Sequence, residues 1–206
     1  MSATRRLLAA AVATALLTAP AAAQARSAPP KGIKAKATVA LGDKRAAKAK
    51  TAQACTNVDA MPTPQNIESI RAALLCLHNQ FRAQNRLPAL KDNAKLRKAA
   101  TGYANDMVDQ GFFDHTSPDG ETFVDRVIGA GYAKRNEGWS LGENLAWGTG
   151  EESTPRYVMD AWMNSAGHKA NILKASYQEI GIGIRLGVPS DPSVGVTFTI
   201  EFGVKA

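Results

Sequence analysis

The chain has 206 residues, 45% hydrophobic and 21% charged, which suits one packed domain with extensions and excludes wholesale disorder. Its formal charge of +7 is unevenly placed: residues 1–25 carry +2, residues 26–50 carry +7 and the remaining 156 carry −2. The part long enough to fold is therefore slightly acidic, which argues against a nucleic-acid-binding domain.

Residues 1–25 have the form of an export signal. Arg5 and Arg6 precede an apolar run from Leu7 to Ala19, and Ala23-Gln24-Ala25 supplies the small residues a signal peptidase needs. An apolar run of 13 residues spans only about 20 Å as a helix, too short for a bilayer, and no other stretch is long and apolar enough to cross one. Secretion, extracellular or periplasmic, follows as the expectation, with no transmembrane segment. Residues 26–54, rich in Ala, Lys and Pro, have too few large apolar side chains to offset their ordering entropy and read as a disordered basic tail. The folded domain is expected over residues 55–206. Cys55 and Cys76 form an even count in an exported chain and are read as a disulfide; metal ligation is the alternative, although neither has a Cys or His at zinc-finger spacing.

From Asn66 the apolar spacing turns helical. Ile67, Ile70, Leu74, Leu77 and Phe81 recur at three and four residues, with Asn66 as N-cap and Pro88 as the stop. A second helix is expected from about Asn93 to Gln110, ended by Gly111, and a third from Thr122 to about Ala130, closed by Gly131. A fourth runs from Pro155 to Asn164. Ile180 to Leu186 and Val194 to Val204 then alternate with period two and read as an antiparallel hairpin. The second face of that hairpin is mostly Gly and Thr, so another layer should press closely on it. The class is α+β, with helices on both sides of the sheet.

Three segments carry chemistry: Phe113 to Pro118, Gly142 to Ala146 and Gly167 to Leu173. His115 and His168 are read in turns, with Glu143 between them in a loop. Two imidazoles and a carboxylate suit Zn²⁺ or a similar divalent ion with positions left for water. Spacings of 28 and 25 residues form no local zinc signature, and the competing reading is a hydrogen-bonded cluster. His78 lies on the apolar face of the first helix and is read as a packing residue. Trp162 reads as core, whereas Trp139 and Trp147 fall in Gly-rich loops that would rim a cleft. Asn144 and Asn171 read as residues whose amides fix the backbone, with cleft lining as the alternative. No phosphate-binding Gly loop and no Gly-x-Ser-x-Gly is present, so nucleotide binding and serine-hydrolase chemistry have no support.

Taken in order, His78-Asn79-Gln80-Phe81-Arg82, His115-Thr116-Ser117-Pro118, Gly142-Glu143-Asn144-Leu145-Ala146, Ala161 to Ser165, Gly167-His168 through Leu173, and Phe198 to Gly203 resemble the CAP superfamily (cysteine-rich secretory proteins, antigen five, pathogenesis-related proteins), in its compact bacterial branch with a single SCP domain. The resemblance implies a three-layer α-β-α sandwich with a central antiparallel sheet, and a cleft lined by His115, Glu143 and His168, with Ser165 and Asn144 beside them. Many members carry a second acidic residue where Ser165 stands here. Its loss weakens any two-carboxylate mechanism and implies that a metal on His115 and His168 would be loosely held.

Two functions are carried forward. One is a secreted, monomeric binding protein for a lipid, glycan or cell-envelope ligand. The other is an extracellular metal-assisted hydrolase with Glu143 as general base. The basic tail is read either as a tether for anionic envelope polymers or as a plain solvated linker. As a tether, it should bind anionic vesicles with an affinity that falls steeply as salt rises and vanishes when residues 26–50 are deleted. Equal binding by the truncated protein in a co-sedimentation assay would leave the linker.

Overall fold

The alternating C-terminal third builds a sheet whose two sides have different tasks. The structure is a computed structural model that describes residues 54–205, so the export segment and nearly all of the basic tail lie outside the described residues. Strands β3 (Glu179–Val188) and β4 (Asp191–Lys205) pair antiparallel, with Ile182 opposite Ile200 and Ile184 opposite Phe198. The second strand begins three residues earlier than the alternation suggests.

A further strand, β2 (Trp139–Gly148), pairs antiparallel with the other edge of β4, from Trp139 opposite Lys205 to Gly148 opposite Val196. The loop expected at Gly142–Ala146 is thus a strand. The segment from Gly142 to Leu145 is buried on both faces, with the polar Glu143 and Asn144 among the buried residues, so no polar–apolar alternation marks it. Two-residue β1 (Lys91–Asp92) adds to β3 in parallel, giving the order β1-β3-β4-β2. The sheet is antiparallel apart from that short edge, which is too brief to show a period in sequence.

Helices cover both faces. On one lie α1 (Ile67–Gln84), α4 (Pro155–Asn164) and α5 (Ala166–Ile172), where Leu74, Leu77 and Trp162 pack on Ile182, Ile200 and Phe202. On the other lie α2 (Ala94–Gln110) and α3 (Phe123–Gly129), whose Leu96, Val127 and Tyr103 meet β2 around Leu141 and Leu145. Sequence signals set most helix ends. Asn93 accepts from the N–H groups of Lys95 and Leu96, Gly111 takes φ 71°, Thr122 and Asp125 form a capping box, and Thr154 caps α4 ahead of Pro155. Asn66 stands at the start of α1 as expected, but its side chain turns outward to Thr63 and Met61. The short α5 replaces the turn read around His168.

The Gly and Thr face of the hairpin meets α2 directly. A Cβ on Gly181 would fall 2.1 Å from the Leu96 carbonyl carbon, and one on Gly183 would fall 2.2 Å from the Ala100 oxygen. Opposite, Arg82 is fully buried and donates to the carbonyls of Pro88, Ile172, Lys174 and Tyr177, tying the exits of α1 and α5 to the start of β3. Cys55 and Cys76 are bonded, with Cα atoms 5.7 Å apart, stapling the entry segment to α1; a loop of this length is worth about 3 kcal/mol in the chain-entropy account. Among the described residues no helix is long and apolar enough to cross a membrane.

The glycine contacts yield a stability test. Gly183→Ala sets a methyl against helix backbone that cannot rotate away, and should cost about 3 kcal/mol or more in urea unfolding. Gly102→Ala, within the same helix but with open space around it, should be neutral or stabilise by about 0.5–1 kcal/mol.

Candidate functional site

The site is built on β2, the last strand of the sheet, and each letter of Gly142-Glu143-Asn144 has a physical task. Gly142 leaves room for neighbours, since a Cβ there would lie 2.3 Å from the Tyr177 hydroxyl and 3.0 Å from Asn171 Oδ1. Those neighbours serve the open edge of the strand. Tyr177 donates to the Leu141 carbonyl at 2.6 Å, Asn171 to the Glu143 carbonyl at 3.0 Å and Trp162 to the Leu145 carbonyl at 2.9 Å. Asn144 projects to the α5 side, donating to the His168 carbonyl and accepting from Asn171. The two asparagines therefore fix backbone, as their positions suggest.

Glu143 projects to the α2–α3 side and is buried. Its Oε1 accepts from His115 Nδ1 at 2.7 Å and its Oε2 from Arg126 at 2.9 Å. Arg126 is itself buried, bonds the carbonyls of Glu121 and His115, and stacks on Tyr103 with its guanidinium carbon 3.1 Å from the ring centre. The Tyr103 hydroxyl holds the Asp114 carbonyl at 2.6 Å. Helix α2 thus fixes the His115 segment through Tyr103, and α3 fixes it through Arg126. Removing one member of such a buried ion pair strands the other charge, a loss of about 3–5 kcal/mol.

His115 presents a ring whose side chain is 55% exposed. The hydrogen bond to Glu143 raises its proton affinity above the ordinary histidine value. His168 behaves oppositely: burial first, and then the charge of His115, lower its pKa, and its Nδ1 is buried with no hydrogen-bond partner. His115 is thus tied to β2 through Glu143 on one side, and the His168 backbone through Asn144 on the other. Ser165 stands at the junction of α4 and α5, at the N-cap of α5, without a side-chain capping bond. A cavity of about 380 Å³ lined by Pro88, Lys91, Tyr177 and Glu179 lies at the opposite edge of the sheet and includes neither histidine.

Among the described residues, no group of three or more His, Cys, Asp or Glu surrounds a single point in the manner of a metal cage. Both oxygens of Glu143 are already bonded, which leaves two imidazoles as the donor set. Sequence reasoning missed Arg126 and a second carboxylate, Glu201. Arg126 had no signal beyond being a charge on a short helix. Glu201 did carry one, as the acid that interrupts the Gly/Thr alternation of the last strand.

His78 is fully buried between Trp162 and Phe202, with Nδ1 donating to the Leu74 carbonyl at 2.8 Å and Nε2 without a partner. It is a packing residue, as read from its helix face, and burial pushes its pKa down from 6.5 to about 4. The unfolded chain then binds more protons than the folded one between those values, so stability falls as the pH is lowered from 6.5 toward 4. The full loss is about 3 kcal/mol. Urea midpoints across this window should drop for the native protein, and His78→Leu should flatten that slope.

A single sandwich of helices on both faces of one sheet defines the class, and the comparisons supply the family. The model of the CAP family, the cysteine-rich secretory protein family, matches residues 75–196, more than half the chain, and the chain belongs to that family. It is 33% identical over 120 residues to YkwD of Bacillus subtilis (strain 168), covering 58% of this chain and 44% of that protein. It is 26% identical over 111 residues to the membrane protein YlbC of the same organism, covering 54% of this chain and 30% of that one. The chain therefore spans less than half the length of either relative. Among solved structures, an outer surface protein from Borrelia burgdorferi shares the fold with a TM-score of 0.56 and 22% identity, over 68% of this chain and 96% of that one. An extracellular SCP-domain protein from Bacillus anthracis str. Ames matches with a TM-score of 0.52 and 24% identity, over 68% and 44%.

Proposed function

We propose that this CAP protein works outside the cytoplasm as a binding protein, taking a small lipid, glycan or cell-envelope ligand along the His115–His168 edge of β2. Export is supported by the signal-like residues 1–25, and the words outer surface and extracellular in the descriptions of the two structural relatives agree with it. The observation that carries binding over hydrolysis is the state of Glu143. Its two oxygens are held by Arg126 and His115, so the residue that a hydrolase would need as a free base is tied into the scaffold.

A divalent ion is part of this proposal as an optional companion. With His115 Nδ1 on Glu143, its Nε2 remains for coordination, and the hydrogen bond to a carboxylate orients the ring as metal-binding histidines commonly require. His168 supplies the second nitrogen, and water would complete the shell. Such an ion would polarise an oxygen-bearing ligand, while Asn144 and Asn171 hold the strand and α5 at fixed separation around it.

Calorimetry at neutral pH should show weak Zn²⁺ binding that is lost in His115→Ala and in His168→Ala and kept in a folded His78 variant. The affinity should decline as the pH falls through the histidine range, because protonated imidazole cannot ligate. An absence of zinc heat would remove the metal. A panel of peptide, glycan and ester substrates with and without zinc tests the rest: turnover abolished by Glu143→Gln would overturn the binding reading.

A further inference from the structure

Glu201 lies on β4 directly opposite Glu143, on the face covered by α2, and is fully buried. Its partner on the other side is Gly181, where the α2 backbone at Leu96 occupies the side-chain space, so β3 offers it no donor. The charged and titratable groups facing it are Glu143 from β2, Arg126 from α3 and, beneath the guanidinium, Tyr103 from α2. The terminal nitrogens of Arg126 are committed to Glu121, His115 and Glu143, and the Tyr103 hydroxyl is committed to Asp114. Neither Glu201 oxygen receives a hydrogen bond from any described residue.

Two ionised carboxylates side by side over one guanidinium would leave a buried negative charge without compensation. A proton on one of them removes it. That proton belongs on Glu201, since Glu143 takes hydrogen bonds from both the guanidinium and the imidazole whereas Glu201 takes none, and burial and the Glu143 charge outweigh the attraction of Arg126. A neutral carboxylic acid has one O–H to donate, and Glu143 is its cross-strand neighbour on the same face.

We propose that Glu201 is a positioning residue of the cleft: a neutral carboxylic acid that donates a hydrogen bond to Glu143 and completes the donor set orienting the carboxylate beneath His115. This rests on the reading of His115 and Glu143 as part of the ligand edge. By drawing charge from Glu143, that hydrogen bond competes with the one Glu143 accepts from His115 Nδ1. Burial holds the Glu201 proton far above the ordinary carboxyl range, with the adjacent Glu143 charge adding to it.

The test needs no ligand. The infrared band of a protonated carboxylic acid should be present in the native protein at pH 7 and absent in Glu201→Gln, while NMR titration of His115 reads the coupling. Glu201→Gln keeps a neutral donor and should leave the His115 midpoint in place; Glu201→Leu removes the donor and should move it upward. No acid band, together with a lower His115 midpoint in Glu201→Gln, would mean that Glu201 is ionised and would overturn the proposal. A band with the midpoint unmoved in both variants would reduce Glu201 to filling space and would equally overturn it. Should Glu201→Leu not fold, Glu201→Asp, which retracts the acid by one methylene, takes its place with the same expected upward shift. Failure of the binding reading would appear separately, as the absence of zinc or ligand heat with these spectra intact.

Discussion

The distance between α2 and the sheet governs everything on that side of the molecule. Gly181 and Gly183 let helix backbone rest on strand backbone without intervening side chains. At that separation Tyr103 reaches inward far enough to serve as a platform for Arg126, and Arg126 in turn reaches Glu143. The His115 segment hangs from the same two residues by its carbonyls. A wider layer would break each of these bonds in succession, although none of them involves a glycine.

On the opposite face, order is kept by polar groups buried inside an apolar layer. Arg82 collects four carbonyls where α1 and α5 end, and Asn79 both donates to and accepts from Leu90. These are the residues of the motif His78-Asn79-Gln80-Phe81-Arg82, and their work is scaffolding. Buried donors that each meet a carbonyl specify one arrangement of loops, because any other leaves them unpaired at considerable cost. The site thus sits between two layers fixed in different ways, one by close backbone contact and one by side-chain hydrogen bonds.

Helix positions were legible in sequence because their signals are local: Asn93, Gly111, Thr122 with Asp125, and Pro155 act within a turn of their own chain. The hairpin was legible from period two. Strand β2 was not, because it is buried on both sides and uses Glu143 and Asn144 as interior residues, which reverses the usual meaning of polarity. The pairing of His115 with Glu143 followed from a family pattern rather than from spacing. Arg126 escaped because its role comes from contacts distant in sequence, and Glu201 because its place depends on register, β4 lying beside β2 with the two acids opposite each other. The absent acid at Ser165 drew attention to one sequence position, while the extra carboxylate arrived from a different strand, far along the chain from Glu143.

A strand at the margin of a sheet normally offers its unpaired carbonyls to any extended chain that passes, which is how aggregation between folded molecules begins. On β2 the outward carbonyls of Leu141, Glu143 and Leu145 are already taken by a phenol, an amide and an indole. All three donors come from side chains that also anchor α4, α5 or the start of β3. The molecule can therefore leave that margin uncovered by another element while refusing a foreign strand. Among crowded or unfolded chains, such an arrangement protects solubility at a sheet margin that nothing else covers.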